Sequence, residues 1–158
     1  MTFSLQSPAF AATGALPRRF TADGEDVSPP LWIEDIPPAA QSLALVVIDP
    51  DAPDPRAPTT TFDHWVLYNL PPSMTTIPEG AGARPPAKAL EGRNGYGQCG
   101  YRGPNPPVGR HRYFFRLFAL DQRLPDLVGP TRLELERAMA GHVLDTAEII
   151  ATYERARR

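Results

Sequence analysis

Apolar positions in this chain fall into short blocks, and the blocks are separated by stretches rich in proline and glycine. The segment Ser42 to Asp49 reads Ser-Leu-Ala-Leu-Val-Val-Ile-Asp, an almost unbroken apolar run with several β-branched residues. Such a run predicts a strand covered on both faces rather than one with a wet side. Phe62 to Leu70 carries Trp65, Val66, Leu67 and Tyr68 and is closed by Pro71-Pro72, which predicts a second strand. His111 to Leu120 holds Tyr113, Phe114, Phe115, Leu117 and Phe118 and predicts a third.

The period changes near the C-terminus. Thr131-Arg132-Leu133-Glu134 has the form of a capping box, in which a threonine oxygen takes a free helix N–H and a glutamate reaches back to the cap. Leu133, Leu135, Ala138 and Met139 follow at helical spacing, and Gly141 supplies a stop. The pattern predicts one short helix from Arg132 to Ala140. For the tail, Val143 to Arg158, two readings stand. Asp145-Thr146-Ala147-Glu148 could cap a second helix, whereas Ile149, Ile150, Thr152 and Tyr153 favour a strand, the reading carried forward.

Composition sharpens this picture. The 20 prolines among 158 residues sit between apolar runs, as breakers between strands do, and exclude a mainly helical fold. The length fits a single domain over residues 1–158, with no repeat and no linker to divide it. A net charge of −2 argues against a general nucleic-acid binder. The single cysteine, Cys99, cannot form an internal disulfide, and no stretch has the length of a transmembrane helix. Met1 to Pro8 lacks the basic start and apolar run of a signal peptide, so the expected location is cytoplasmic.

Candidate chemistry gathers in three places. Asp49-Pro50-Asp51-Ala52-Pro53-Asp54-Pro55 closes the first strand with carboxylates in a stiff, proline-locked segment, although Asp and Pro are also common turn formers. His64 sits inside an apolar strand, where a histidine is as readily a hydrogen-bonded core residue as a functional one. The third stretch, Gly100 to Tyr113, sets a glycine- and proline-rich loop ahead of His111-Arg112-Tyr113. Strand alternation aims His111 and Tyr113 to one side and Arg112 to the other. A stiff loop can offer backbone N–H groups to an oxyanion beside imidazole and phenol donors; a plain hairpin loop with an aromatic strand behind it explains the same residues equally well. If His64, His111 and Asp51 converge, a phosphate-like ligand binds more tightly under mildly acidic conditions. His142, after the helix stop, reads as structural.

At these residues the sequence resembles the phosphatidylethanolamine-binding protein family. The resemblance lies in Asp49-Pro50-Asp51-Ala52-Pro53 followed by His64, and in Gly103-Pro104-Asn105-Pro106-Pro107 leading to His111-Arg112-Tyr113. It extends to Asp23-Gly24-Glu25-Asp26-Val27-Ser28-Pro29-Pro30-Leu31 and to Gly141 through Tyr153, with the spacing of the bacterial and archaeal branch. It implies a mainly β fold, a sandwich of two antiparallel sheets with a short C-terminal helix. It implies a ligand pocket lined by Asp51, His64, Gly103, Pro104, Asn105, Pro106, His111 and Tyr113, and a cis peptide at Ala52-Pro53. In that pocket the histidines would donate to an anion, Tyr113 would orient it, and Asp51 would fix a histidine tautomer or meet an ammonium. Asn105 departs from the cysteine that bacterial relatives often carry there, which bears on ligand preference.

The function implied is binding of a small anion or phospholipid headgroup, such as phosphate or phosphoethanolamine. Regulation or inhibition of kinases or proteases through phosphorylated partners is implied as well. No cofactor and no metal are expected, and a homodimer is expected from similar proteins. The alternative is a hydrolase of small phosphoesters using Asp51, His64 and His111, but no Gly-x-Ser-x-Gly elbow supplies a nucleophile. A zinc site from the same three residues would lack the short ligand spacings typical of such centres.

Overall fold

The computed structural model describes residues 2–155. Eight strands and one α-helix are formed: β1 Ser4–Gln6, β2 Leu31–Glu34, β3 Ser42–Ala52, β4 Thr60–Leu70, β5 Thr76–Ile77, β6 Leu90–Glu91, β7 His111–Leu120, α1 Arg132–Met139 and β8 Val143–Tyr153. All pairings between strands are antiparallel. A small sheet has the order β1-β2-β5 and a large one the order β6-β4-β3-β7-β8. The fold is mainly β, with two antiparallel sheets and a short helix, as the sequence predicts.

The unbroken apolar run of β3 has a direct cause. Leu43, Leu45 and Val47 face the small sheet and join Leu5, Leu31 and Ile33 in the principal core. Ala44, Val46 and Ile48 face the other way and join Leu135 and Met139 of α1 in a second core. β4 is divided likewise, with Trp65 and Leu67 on one side and Val66 and Tyr68 on the other. The large sheet is thus the middle of three layers, and its middle strand β3 is buried on both faces from Leu43 to Ile48. The outer positions of β7, Arg112 and Arg116, lie beside the Phe114 ring on the opposite face from Tyr113 and Phe115.

Helix α1 ends one residue before the predicted Ala140, and its capping box is complete. Thr131 Oγ1 accepts from Glu134 N at 3.2 Å, and Glu134 Oε1 accepts from Thr131 N at 3.0 Å. Arg132 anchors the helix to β4 through Asp63 at 2.6 Å. The tail is a strand from Val143 to Tyr153, paired along its length with β7. The rest of the stretch read as a strand does not follow: Glu154 and Arg155 lie beyond the ladder, and residues 156–158 fall outside the described residues.

One boundary differs from the sequence reading. β3 does not stop at Asp49 but continues through Pro50 and Asp51 to Ala52. Pairing with β7 ends at Ile48–Phe114, and the β4 ladder is irregular between Asp49 and Ala52. Pro50 therefore sits where the missing N–H is not needed. The Ala52–Pro53 peptide is cis.

Replacing Thr131 by alanine removes one arm of the capping box, and is expected to lower unfolding free energy by about 1 kcal/mol in urea titration.

Candidate functional site

The C-terminal end of β3 and the N-terminal ends of β4 and β7 meet at one end of the large sheet. Asp49 and His111 lie on the inner face there, and both are buried. His111 Nδ1 contacts Asp49 Oδ2 at 2.6 Å, and Nε2 donates to the Val108 carbonyl at 2.8 Å. The carbonyl can only accept, so Nε2 serves as its donor, and Nδ1 is taken up by the Asp49 carboxylate. Neither nitrogen of His111 is left for a ligand.

Asp51 does something else. Its two oxygens hold Arg112, with Oδ1 to Nη2 at 2.9 Å and Oδ2 to Nε at 3.0 Å, and Oδ2 also accepts from Arg112 N at 2.9 Å. The hydrogen bonds from Arg112 hold the Asp51 carboxyl below the usual carboxylate range. The carboxylate that meets a histidine is therefore Asp49, not Asp51. Both belong to the same short motif, and side-chain order alone does not tell them apart.

His64 reaches this end by a different route. Val47 pairs with Trp65 and Ile48 with Asp63, so His64 is the extra residue of a β-bulge. A bulge re-aims a side chain that strict alternation would send to the opposite face. The ring lies edge-on to Tyr113 at 5.3 Å and beside Phe62 at 4.9 Å. Its Nδ1 donates to the Arg102 carbonyl at 2.6 Å, while Arg102 N donates to the His64 carbonyl at 3.0 Å. Burial pushes the His64 imidazole below its ordinary value of 6.5, so the neutral ring presents Nε2 as an acceptor. Among the described residues Nε2 has no hydrogen-bond partner.

His64 lines an open cleft of about 360 Å³ together with Pro53, Thr60, Phe62, Tyr96 and Asn105. The other expected residues are placed around it. Gly103 packs so closely that a Cβ would sit 2.3 Å from the Phe20 carbonyl, and its N–H donates to Asp26 Oδ1 at 2.6 Å rather than facing the cleft. Pro104 is buried and its carbonyl accepts from Ala22 N at 2.9 Å. Pro106 lines a neighbouring depression of about 420 Å³. Asn105 Oδ1 accepts from Arg155 Nη2. Tyr113 stacks on His111 and meets His64 edge to face, and its buried hydroxyl has no partner among the described residues. Burial raises that phenol far above its usual value. Two participants went unnoticed in the sequence. Phe62 carried a signal as an aromatic next to His64; Tyr96 lies in a loop with no periodicity to expose it.

No group of three or more His, Cys, Asp or Glu arranged to hold a metal ion occurs among the described residues. No helix among them is long and apolar enough to cross a membrane.

Two antiparallel sheets, with buried histidines and carboxylates gathered where three strands end beside a small cleft, define a class of small ligand-binding β proteins. The family model described as phosphatidylethanolamine-binding protein matches residues 6–154, and the chain belongs to that family. A Chlamydia pneumoniae protein named UPF0098 protein is 45% identical over 152 residues, covering 96% of this chain and 99% of its own. A Methanothermobacter thermautotrophicus protein of the same name is 44% identical over 154 residues, again covering 96% and 99%. Among solved structures, a phosphatidylethanolamine-binding protein homolog from Chlamydia trachomatis superposes with a TM-score of 0.90 at 39% identity, covering 98% of this chain and 99% of that one. Escherichia coli YbcL, described as a new member of the mammalian family, gives 0.89 at 27% identity and covers 99% and 100%.

The neutral state of His64 sets a pH dependence. Above about pH 6.5 the imidazole is neutral in both folded and unfolded chains; as pH falls below it, the unfolded chain takes up a proton that the folded one refuses. Stability is expected to decline from about pH 6.5 downward, ahead of the carboxylates. His64→Asn keeps a donor for the Arg102 carbonyl and removes the titration, so its stability profile between about pH 6.5 and 5 should be flatter than wild type in urea titrations. Asp49→Ala leaves His111 buried without its partner and is expected to cost about 3 kcal/mol or more by the same measurement.

Proposed function

We propose that this protein binds a small phosphate-bearing ligand, of the size of a phospholipid headgroup such as phosphoethanolamine, in the cleft beside His64. Family membership supports a small-ligand-binding role. The observation that carries the finer reading is His64 Nε2. It is the one ring nitrogen of the two buried histidines without a protein partner among the described residues, and its residue lines the cleft. A phosphate can bring a proton to that nitrogen as a hydrogen-bonded P–OH, or induce the ring to take one up and donate. The Asn105 side-chain amide and the Thr60 hydroxyl line the same cleft and offer further donors.

The buried Asp49–His111 pair and the Asp51–Arg112 pair serve this site from behind by fixing the strand ends that carry its walls. Docking on phosphorylated proteins, as a regulator or inhibitor, would use the same chemistry.

Calorimetric titration with phosphoethanolamine and with inorganic phosphate tests the reading. Saturable binding is expected, stronger at about pH 5.5 than at pH 8 because the ligand draws a proton onto His64. His64→Ala should weaken it by about tenfold or more, the worth of one hydrogen bond to a charged group. Binding that is unchanged in His64→Ala would remove the ligand from this cleft.

A further inference from the structure

The large sheet ends on β8, and only part of that edge is covered. Towards the C-terminal end of β8 the chain lays an extended segment of its own along it. Thr13 N donates to the Ile150 carbonyl at 2.6 Å, Leu16 N to the Thr152 carbonyl at 2.8 Å, and Thr152 N to the Gly14 carbonyl at 2.9 Å. Ala15 and Thr152 form a parallel bridge there. Ahead of Thr13 the chain turns away, with Gly14 N closing on the Ala11 carbonyl at 2.8 Å. The other half of β8, Val143 to Glu148, pairs on its inner side with Arg116 to Leu120, the end of β7 away from His111.

Main-chain groups of an antiparallel strand alternate between its two sides. Ile150 and Thr152 turn theirs outward, and the register with β7 is regular from Tyr153 to Asp145, so Glu148 and Thr146 turn theirs outward too. Thr146 N is met by Asp145 Oδ1 at 2.8 Å. The Thr146 carbonyl, both groups of Glu148 and the Ile150 N–H have no protein partner among the described residues. Proline, lysine and covering loops are common guards of a sheet edge. Val143 to Glu148 holds neither proline nor lysine, and the covering segment stops short of it.

A groove of about 600 Å³ runs beside these open groups, between β8 and β1, the edge of the small sheet. Its floor is apolar and is made by Phe3, Leu5, Phe10, Ala147 and Ile149. Glu148 is the one charged residue that lines it, and Arg116 holds that carboxylate at 2.7 Å. Asp145 stands at the end of the open stretch, exposed and without an ion pair among the described residues.

We infer that this edge docks an extended peptide of another protein, which lengthens the sheet beyond β8 where segment 13–16 leaves off. Main-chain pairing gives such a complex its affinity, and alternate side chains give it specificity. Here the inward side chains of the peptide come over the apolar floor, which suits valine or isoleucine. A lysine or arginine answers the unmatched charge of Asp145. A second copy of this chain is a poorer occupant. The antiparallel register that uses all the open groups sets the two Glu148 side chains opposite each other, and like charges directly opposite destabilise a strand pair. The inference is independent of the ligand reading at the cleft beside His64.

The test follows amide exchange by NMR in the wild-type protein, with acetyl-Lys-Val-Thr-Val-Lys-amide as the probe. Exchange at the Glu148 and Ile150 N–H groups is expected to slow about tenfold at saturation, the worth of a single hydrogen bond at each. The fully N-methylated peptide, which has no donors, should leave both rates unchanged. Replacing the two lysines of the probe by glutamate should weaken binding several-fold. Asp145→Asn keeps an acceptor for Thr146 N and removes the charge, so it should narrow the gap between the two peptides. Glu148→Pro removes the central donor and should abolish binding; the exchange rates of the wild type decide the matter even where this variant fails to fold. Unchanged exchange at Glu148 and Ile150 with the lysine peptide, or equal binding of its N-methylated form, overturns the inference. Slowing at the same amides that grows with protein concentration in the absence of peptide also overturns it, and assigns the edge to a second copy.

Discussion

Strand β3 loses its main-chain partner on the β7 side after Ile48, and polar groups at that point are buried. Everything at the candidate site depends on how they are satisfied, because an unpaired buried donor or charge costs more than a made bond returns. Two carboxylates on β3 do it. Asp49 takes the ring of His111, and Asp51 takes both the backbone N–H and the guanidinium of Arg112. Side chains thus continue the connection between β3 and β7 where the ladder stops. The inner pair is enclosed between the sheets, and the outer pair straps the same strand from the solvent side.

This arrangement divides the histidines by role. His111 is spent at both nitrogens and is a structural residue of the strand end. His64 is spent at one. The two were equal in the sequence, each an imidazole on an aromatic strand beside a stiff loop. What separates them is a bulge in β4 and the turn that brings the Val108 carbonyl back over His111. Neither leaves a mark in residue type.

The large elements were legible for simple reasons. The apolar run of β3, the aromatic run of β7 and the capping box of α1 each carry a local signal that tertiary structure reinforces. The continuation of β3 through Pro50 was not legible, because a proline argues against a strand unless its missing hydrogen bond is known to be unneeded. In the sequence the Gly103 loop suggests a source of free backbone donors, but its glycine serves a close approach to Phe20 and gives its N–H to Asp26. Tyr96 was invisible because its loop is fixed by Asn94, whose side chain replaces main-chain hydrogen bonds that no periodic pattern records.

Two hydrogen bonds between His64 and Arg102, one from the imidazole Nδ1 to the Arg102 carbonyl and one from Arg102 N to the His64 carbonyl, tie the loop bearing Arg102 to strand β4 at the wall of the cleft. Such a tie makes the cleft a fixed jaw rather than a closing mouth. Opening it by swinging the loop would break both bonds and unseat the imidazole at the same time. A ligand therefore meets a surface already shaped, and little ordering entropy is spent when it arrives. Selection then depends on fit at the moment of contact, and a molecule of the wrong outline finds no second conformation to settle into.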